Sequence, residues 1–131
     1  MPLKLLLVDD NATFLAAVRH FLNMLPGLEV VGESRDGAQA LASSDQLRPD
    51  VLLLDIAMPG MSGLEVARIV LARADPPQVV FLSMQDNDAY RQAAHQMGAA
   101  FVGKSNFVAE LLPMLELMIV ARNIQVGEDQ A

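Results

Sequence analysis

The chain has no cysteine and no tryptophan among its 131 residues. The first absence excludes a disulfide framework, a thiolate zinc site and a cysteine nucleophile. The second, with a single tyrosine and five phenylalanines, leaves little aromatic surface for stacking a flavin or a base. Lysine is nearly absent too: Lys4 and Lys104 are the only two, and the arginines are scattered. With a formal net charge of −7, the chain has no basic stripe to track a phosphate backbone, so direct nucleic-acid binding is not expected. A protein partner with a basic or apolar surface suits it better. No apolar run reaches the length of a membrane span. The opening Met1-Pro2-Leu3-Lys4 lacks the basic, apolar and cleavage regions of a signal peptide. These exclusions lead to the expectation of a cytoplasmic protein without membrane contact.

What is present is a rich apolar content, 53% of residues, enough for one domain around one core. Apolar runs predict strands over Leu3–Val8, Leu28–Gly32, Val51–Leu54, Gln78–Leu82 and Ala99–Val102. A helix follows Asn11, a good N-cap, with Phe14, Leu15, Val18, Leu22 and Leu25 on one face, and Pro26-Gly27 stops it. Asp36-Gly37 opens a short alanine-rich helix. Ser62 and Glu65, three apart before an apolar run, form a capping-box pattern for a third helix ending near Arg73. Helices over Asp86–Met97, closed by Gly98, and from about Ser105 to Arg122 complete the series. Five strand–helix units in succession predict an α/β fold. Right-handed crossovers make it a single doubly wound, five-stranded parallel sheet with five helices, a flavodoxin-like three-layer sandwich. The domain is expected to span 1–124, with a flexible polar tail over 125–131 and no output domain in this chain.

Four of the predicted strands end in residues that suit phosphoryl chemistry. The first runs into Asp9-Asp10, the third into Asp55, the fourth into Ser83, and the fifth through Gly103 into Lys104. Parallel strands deliver the residues after their C-terminal ends to one edge of the sheet. Adjacent carboxylates call for a cation or a raised pKa, and hard oxygen ligands suit magnesium. Asp55 follows the most uniformly apolar strand and is the candidate nucleophile toward phosphorus. The turn at Met58-Pro59-Gly60 can leave the Ala57 carbonyl pointing back at a metal. Lys104 could pair with the carboxylates and contact a transferred phosphoryl oxygen. Singly, each residue has an ordinary explanation as a cap, a turn or a surface side chain. Their order along the chain carries the reading.

In this order the residues resemble the receiver domain of two-component response regulators. The carriers are Val8-Asp9-Asp10, Leu54-Asp55-Ile56-Ala57-Met58-Pro59 with Gly63, Ser83, and Gly103-Lys104, and the resemblance extends from Leu5 to about Arg122. It implies that Asp55 is the phosphoacceptor. It implies that Asp10, Asp55 and the Ala57 carbonyl hold Mg2+ (or Mn2+), with Asp9 acting mainly through water, and that Ser83 and Lys104 bind the phosphoryl group. The implied donor is a histidine kinase or phosphotransfer protein, and His20 and His95 are not donor candidates. The chain would be a signalling phosphoacceptor that catalyses only its own phosphorylation and dephosphorylation, not an enzyme acting on an external substrate. Phe101, three residues before Lys104, occupies the family's aromatic switch position, where it lacks a hydroxyl and can respond only by packing.

Ser105 stands where many receivers have proline, and Gly103-Lys104-Ser105 is similar to receivers that precede a helix-turn-helix output domain. The last helix carries more apolar residues than one core stripe needs, from Phe107 to Val120, with Pro113 inside it. This predicts an interaction surface made by the fourth helix, fifth strand and last helix, suited to a homodimer or an output element. Competing readings are a haloacid-dehalogenase-type phosphohydrolase, a flavodoxin-like cofactor module and a receiver-like scaffold that is not phosphorylated. The first needs an acid two positions after Asp55, where Ala57 stands. The second is opposed by Asp9-Asp10, which would repel a flavin phosphate.

Overall fold

The structure, a computed structural model, describes residues 1–130, with side chains through residue 124. Among the described residues, strands and helices alternate as β1 (Leu3–Val8), α1 (Ala12–Asn23), β2 (Leu28–Ser34), α2 (Gly37–Leu47), β3 (Val51–Asp55), α3 (Gly63–Leu71), β4 (Gln78–Ser83), α4 (Asp88–Gln96), β5 (Ala100–Gly103) and α5 (Phe107–Gln130). A 3-10 turn, Lys104–Asn106, joins β5 to α5. All pairings are parallel and the strand order is β2-β1-β3-β4-β5, the doubly wound sheet expected from the alternation.

The strand period of two divides the core into two layers. Leu3, Leu5, Leu7, Val51, Leu53, Val80, Leu82 and Val102 pack with Leu15, Val18 and Leu22 of α1 and with Leu111 and Leu115 of α5. Leu6, Val8, Leu52, Leu54, Val79, Phe81 and Phe101 face the other way, onto Ala40 of α2, Val66, Ala67 and Val70 of α3, and Ala94 of α4. Strands covered on both faces read as continuous apolar runs, which is why β3 and β4 stand out in the sequence.

The local signals that set boundaries act as side-chain caps. The side-chain oxygens of Asn11, Asp36 and Ser62 accept the N–H groups of Phe14, Gln39 and Glu65 at the starts of α1, α2 and α3. β3, β4 and β5 each end one residue later than expected, β5 starts at Ala100, and the turn Lys104–Asn106 delays α5 to Phe107. Four further boundaries also differ from the sequence expectation. β2 continues past Gly32 to Ser34, because a bulge at Leu5/Leu6 in its pairing with β1 absorbs one residue and the ladder resumes. α4 starts at Asp88 instead of Asp86, since Asn87 is the cap that accepts the Tyr90 N–H while Asp86 is held by Arg91. α3 closes at Leu71, before Arg73. α5 runs beyond Arg122 to Gln130, with Pro113 inside it on the exposed face. The tail expected over 125–131 falls where side chains lie outside the described residues, and Ala131 lies outside them altogether.

Candidate functional site

The order of strands reverses between β1 and β3, and in a doubly wound sheet the crevice at such a switch point gathers what the strand ends carry. Val8 pairs with Leu54, so Asp9 and Asp55 emerge side by side. Asp55 pairs with Leu82, and Ser83 with Gly103, which sets Ser83 and Lys104 on the other flank. Five of the six residues singled out at the strand ends and the turn, namely Asp10, Asp55, Ala57, Ser83 and Lys104, line one cleft of about 370 Å³, together with Asn11, Met84 and Gln85. Asp9, the sixth, lies buried behind it.

Lys104 ties the cleft together. Its Nζ lies 2.6 Å from Asp9 Oδ2 and 3.2 Å from Asp55 Oδ1. All three side chains are buried, whereas Asp10 is exposed. The same ammonium sits 4.6 Å from the centroid of the Phe14 ring. Asp9 Oδ1 accepts the Asn11 N–H at 2.9 Å, but Asp9 Oδ2 has no directed hydrogen bond among the described residues despite its contact with Lys104. Burial, with the Asp9 charge second, pushes the Asp55 carboxyl up to about 6, against the lowering pull of Lys104.

Carboxylate oxygens of Asp9, Asp10 and Asp55 all come within 4.8 Å of one another. Three hard oxygen donors at that spacing, one of them a buried oxygen without a directed hydrogen bond, form an acidic pocket that could hold a divalent cation. Ser83 is buried, and its Oγ accepts the Gln85 N–H at 3.0 Å.

The loop after Asp55 is held by backbone contact. The Gly63 N–H donates to the Ile56 carbonyl at 2.8 Å, and a Cβ on Gly63 would lie 2.0 Å from the Asp55 carbonyl oxygen. Only glycine lets α3 start this close to the end of β3. Phe101 is buried in β5 beside Phe81, and the Arg91 guanidinium lies 4.7 Å from its ring centroid. Arg91 also grips Asp86 through two hydrogen bonds of 2.5 and 2.7 Å. Glu110 of α5, 3.9 Å from Arg91, accepts the Gly103 N–H at 3.0 Å. His20 and His95 are exposed and do not line the cleft.

Sequence reasoning missed four participants. Asn11 reads as a cap, yet its N–H also holds Asp9. Phe14 reads as one more residue of the apolar face of α1, and helical periodicity cannot tell a ring packed on the core from one that meets an ammonium. Asp86 and Arg91 are five apart, outside the spacing of helix pairs, and only the cap at Asn87 brings them together.

Comparison with known proteins agrees with this geometry. The family model for the response regulator receiver domain matches residues 5–116. A protein-glutamate methylesterase/protein-glutamine glutaminase 5 of Myxococcus xanthus (strain DK1622) is 43% identical over 99 residues, covering 75% of this chain and 28% of that protein. The response regulator GacA of Pseudomonas syringae pv. syringae (strain B728a) is 31% identical over 121 residues, covering 92% of this chain and 56% of GacA. The chain thus spans between a quarter and just over half the length of these curated relatives. Among solved structures, the signal receiver domain of the putative response regulator NarL from Mycobacterium tuberculosis superposes with a TM-score of 0.82 at 34% identity, covering 90% of this chain and 96% of that one.

Proposed function

This chain belongs to the response regulator receiver domain family, and on that premise we propose that Asp55 accepts a phosphoryl group from a histidine kinase or phosphotransfer protein in the cytoplasm. The observation that carries the assignment is the Lys104 ammonium between two buried carboxylates, 2.6 Å from Asp9 and 3.2 Å from Asp55. A buried carboxylate and an incoming phosphoryl group repel each other, so the step needs fixed positive charge at the point of attack. A lone pair of an Asp55 oxygen forms the new O–P bond. The bond from phosphorus to the donor's nitrogen or acyl oxygen breaks, and its electron pair leaves with the donor. Lys104 is placed to hold charge on the phosphoryl oxygens as it moves off Asp55.

Asp10, Asp55 and the Ala57 carbonyl are the groups we assign to Mg2+ (or Mn2+), with Asp9 acting through water. The cation, when bound, neutralises carboxylate and phosphoryl charge. Ser83 is assigned to the phosphoryl group through its hydroxyl proton, since its oxygen already accepts the Gln85 N–H. Drawing Ser83 toward the phosphoryl group moves Gln85 and the loop carrying Asp86, and Arg91 transmits that shift to its stack on Phe101. The output is a change in the α4–β5–α5 face, offered to a partner or a second copy. On α5, Leu117, Val120 and Ile124 are exposed apolar residues available for such contact. No helix among the described residues is long and apolar enough to cross a membrane.

A second reading rests on the relatives' greater length: the receiver serves as the regulatory module of a longer protein, governing an esterase or a DNA-binding effector. Both readings require the same chemistry at Asp55. Intact-mass spectrometry after incubation with acetyl phosphate tests it. One acid-labile phosphoryl adduct is expected with Mg2+, lost with a chelator and absent from Asp55→Asn. An unmodified wild-type protein would leave only a phosphorylation-independent scaffold.

A further inference from the structure

Lys104 brings charge to the cleft, and that charge is useful only if the side chain is aimed. A lysine carries four rotatable bonds, and an ammonium at the mouth of a cleft can turn out to water at little cost. Here it does not: the side chain is buried and its Nζ points between Asp9 and Asp55. The two carboxylates supply the attraction, while Asp9 Oδ2 makes no directed hydrogen bond that would fix the ammonium's direction. Beside these two carboxylates, a third neighbour is an aromatic face. The Phe14 ring centroid lies 4.6 Å from Nζ, within the range where a ring quadrupole attracts a cation.

That ring is itself fixed. Phe14 meets Phe107 edge to face at 5.4 Å, and Phe107 meets Phe21 in the same way at 5.8 Å. Phe14 and Phe21 belong to α1, and Phe107 is the first residue of α5, directly after the turn that carries Lys104. Three rings therefore brace the Lys104 turn against α1, and the Asn11 cap sets the start of α1 while its N–H holds Asp9.

We propose that Phe14 is a positioning residue for phosphoryl transfer, its ring face seating the Lys104 ammonium between Asp9 and Asp55. This rests on the assignment of Asp55 as phosphoacceptor and adds to it a group that touches neither phosphate nor metal. The ring attracts the cation without adding a third anionic partner to Asp9 and Asp55, so it fixes the ammonium's direction.

The test replaces Phe14 alone with phenylalanines bearing one, two and three ring fluorines, which keep the ring's shape and weaken its negative face stepwise. Phe14→Leu keeps apolar bulk without a ring. The rate of Asp55 phosphorylation by acetyl phosphate should fall with each fluorine and reach a loss of about 2- to 30-fold at the weakest face. Thermal stability should change far less than the rate. Nuclear magnetic resonance supplies a readout that packing alone would not move. With two lysines in the chain, the side-chain methylene protons next to Nζ of Lys104 can be assigned against Lys4, and their ring-current shift should vanish in Phe14→Leu. A flat rate across the fluorine series, or a fall that only tracks lost stability with the Lys104 shift intact, overturns the proposal. A wild-type protein that forms no Asp55 adduct defeats the functional reading instead, and the Lys104 shift still decides whether the seat exists.

Discussion

Lys104 stands closer to Asp9 than to Asp55, 2.6 Å against 3.2 Å, so a single ammonium faces two buried carboxylates with the exposed Asp10 beside them. Lys104→Met would leave that pair without compensation. Removing one partner of a buried ion pair costs about 3–5 kcal/mol, and denaturant melts of the metal-free protein should show a loss of that order. Millimolar Mg2+ should recover part of it. Phosphorylation by acetyl phosphate should slow on the order of 100-fold or more, as for loss of a preorganised donor.

Asp55 works against stability when charged. Its carboxyl is pushed up to about 6 from an ordinary 3.8 by burial first and the Asp9 charge second. Between those values the folded chain binds more protons than the unfolded one, so this group's contribution to stability falls as pH rises from about 4 to 6. Above that window the penalty is fully present, at most about 3 kcal/mol by linkage. Asp55→Asn, which cannot ionise, should therefore raise the metal-free Tm at pH 7.5 by several degrees. The advantage should shrink toward zero near pH 4. Parallel thermal melts of both proteins across pH check this, and an Asn variant less stable at pH 7.5 would contradict it.

Gly63 sets the height of the loop after Asp55. A Cβ there would lie 2.0 Å from the Asp55 carbonyl oxygen and 2.9 Å from Ile56 Cα, and backbone cannot yield as a flexible side chain can. Gly63→Ala should destabilise by about 1–3 kcal/mol. It should also slow phosphorylation, because lifting the loop moves Ala57 away from the cleft. Far-UV circular dichroism melts and the acetyl phosphate rate measure the two effects separately.

Arg91 joins three elements through side chains that are largely exposed. Exposed ion pairs contribute little to global stability, so Arg91→Gln should leave Tm nearly unchanged. Its effect should be local: faster hydrogen exchange at the Gly103 amide, which Glu110 accepts at 3.0 Å, and at the amides of the β4–α4 loop. Unchanged protection at both places would remove Arg91 from the proposed path between Ser83 and Phe101.

The fold was legible because each strand is either covered on both faces or stopped by a strong punctuator. Val51–Leu54 and Val79–Leu82 are apolar throughout, and Asn11, Asp36 and Ser62 announce their helices by caps. The strand-end residues were legible for the same reason: a parallel sheet converts position at a strand terminus into proximity, and Asp9, Asp55 and Lys104 meet as their order implied. The missed boundaries depend on partners far along the chain. β2 outlasts Gly32 because β1 is there to pair with it, and Asp86 leaves the helix it was assigned to because Arg91 takes it. The role of Phe14 was hidden because a ring at position 14 satisfies the apolar face of α1 whether or not a cation rests on it.

Chemical trapping of the modified residue tests the central claim most directly. An aspartyl phosphate is an acyl phosphate, and borohydride reduces it to homoserine at the position that carried it. After incubation with acetyl phosphate and Mg2+, peptide mapping should find homoserine at position 55 and nowhere else. Homoserine at position 9 or 10, or none at all in a protein shown to be folded, would contradict the account.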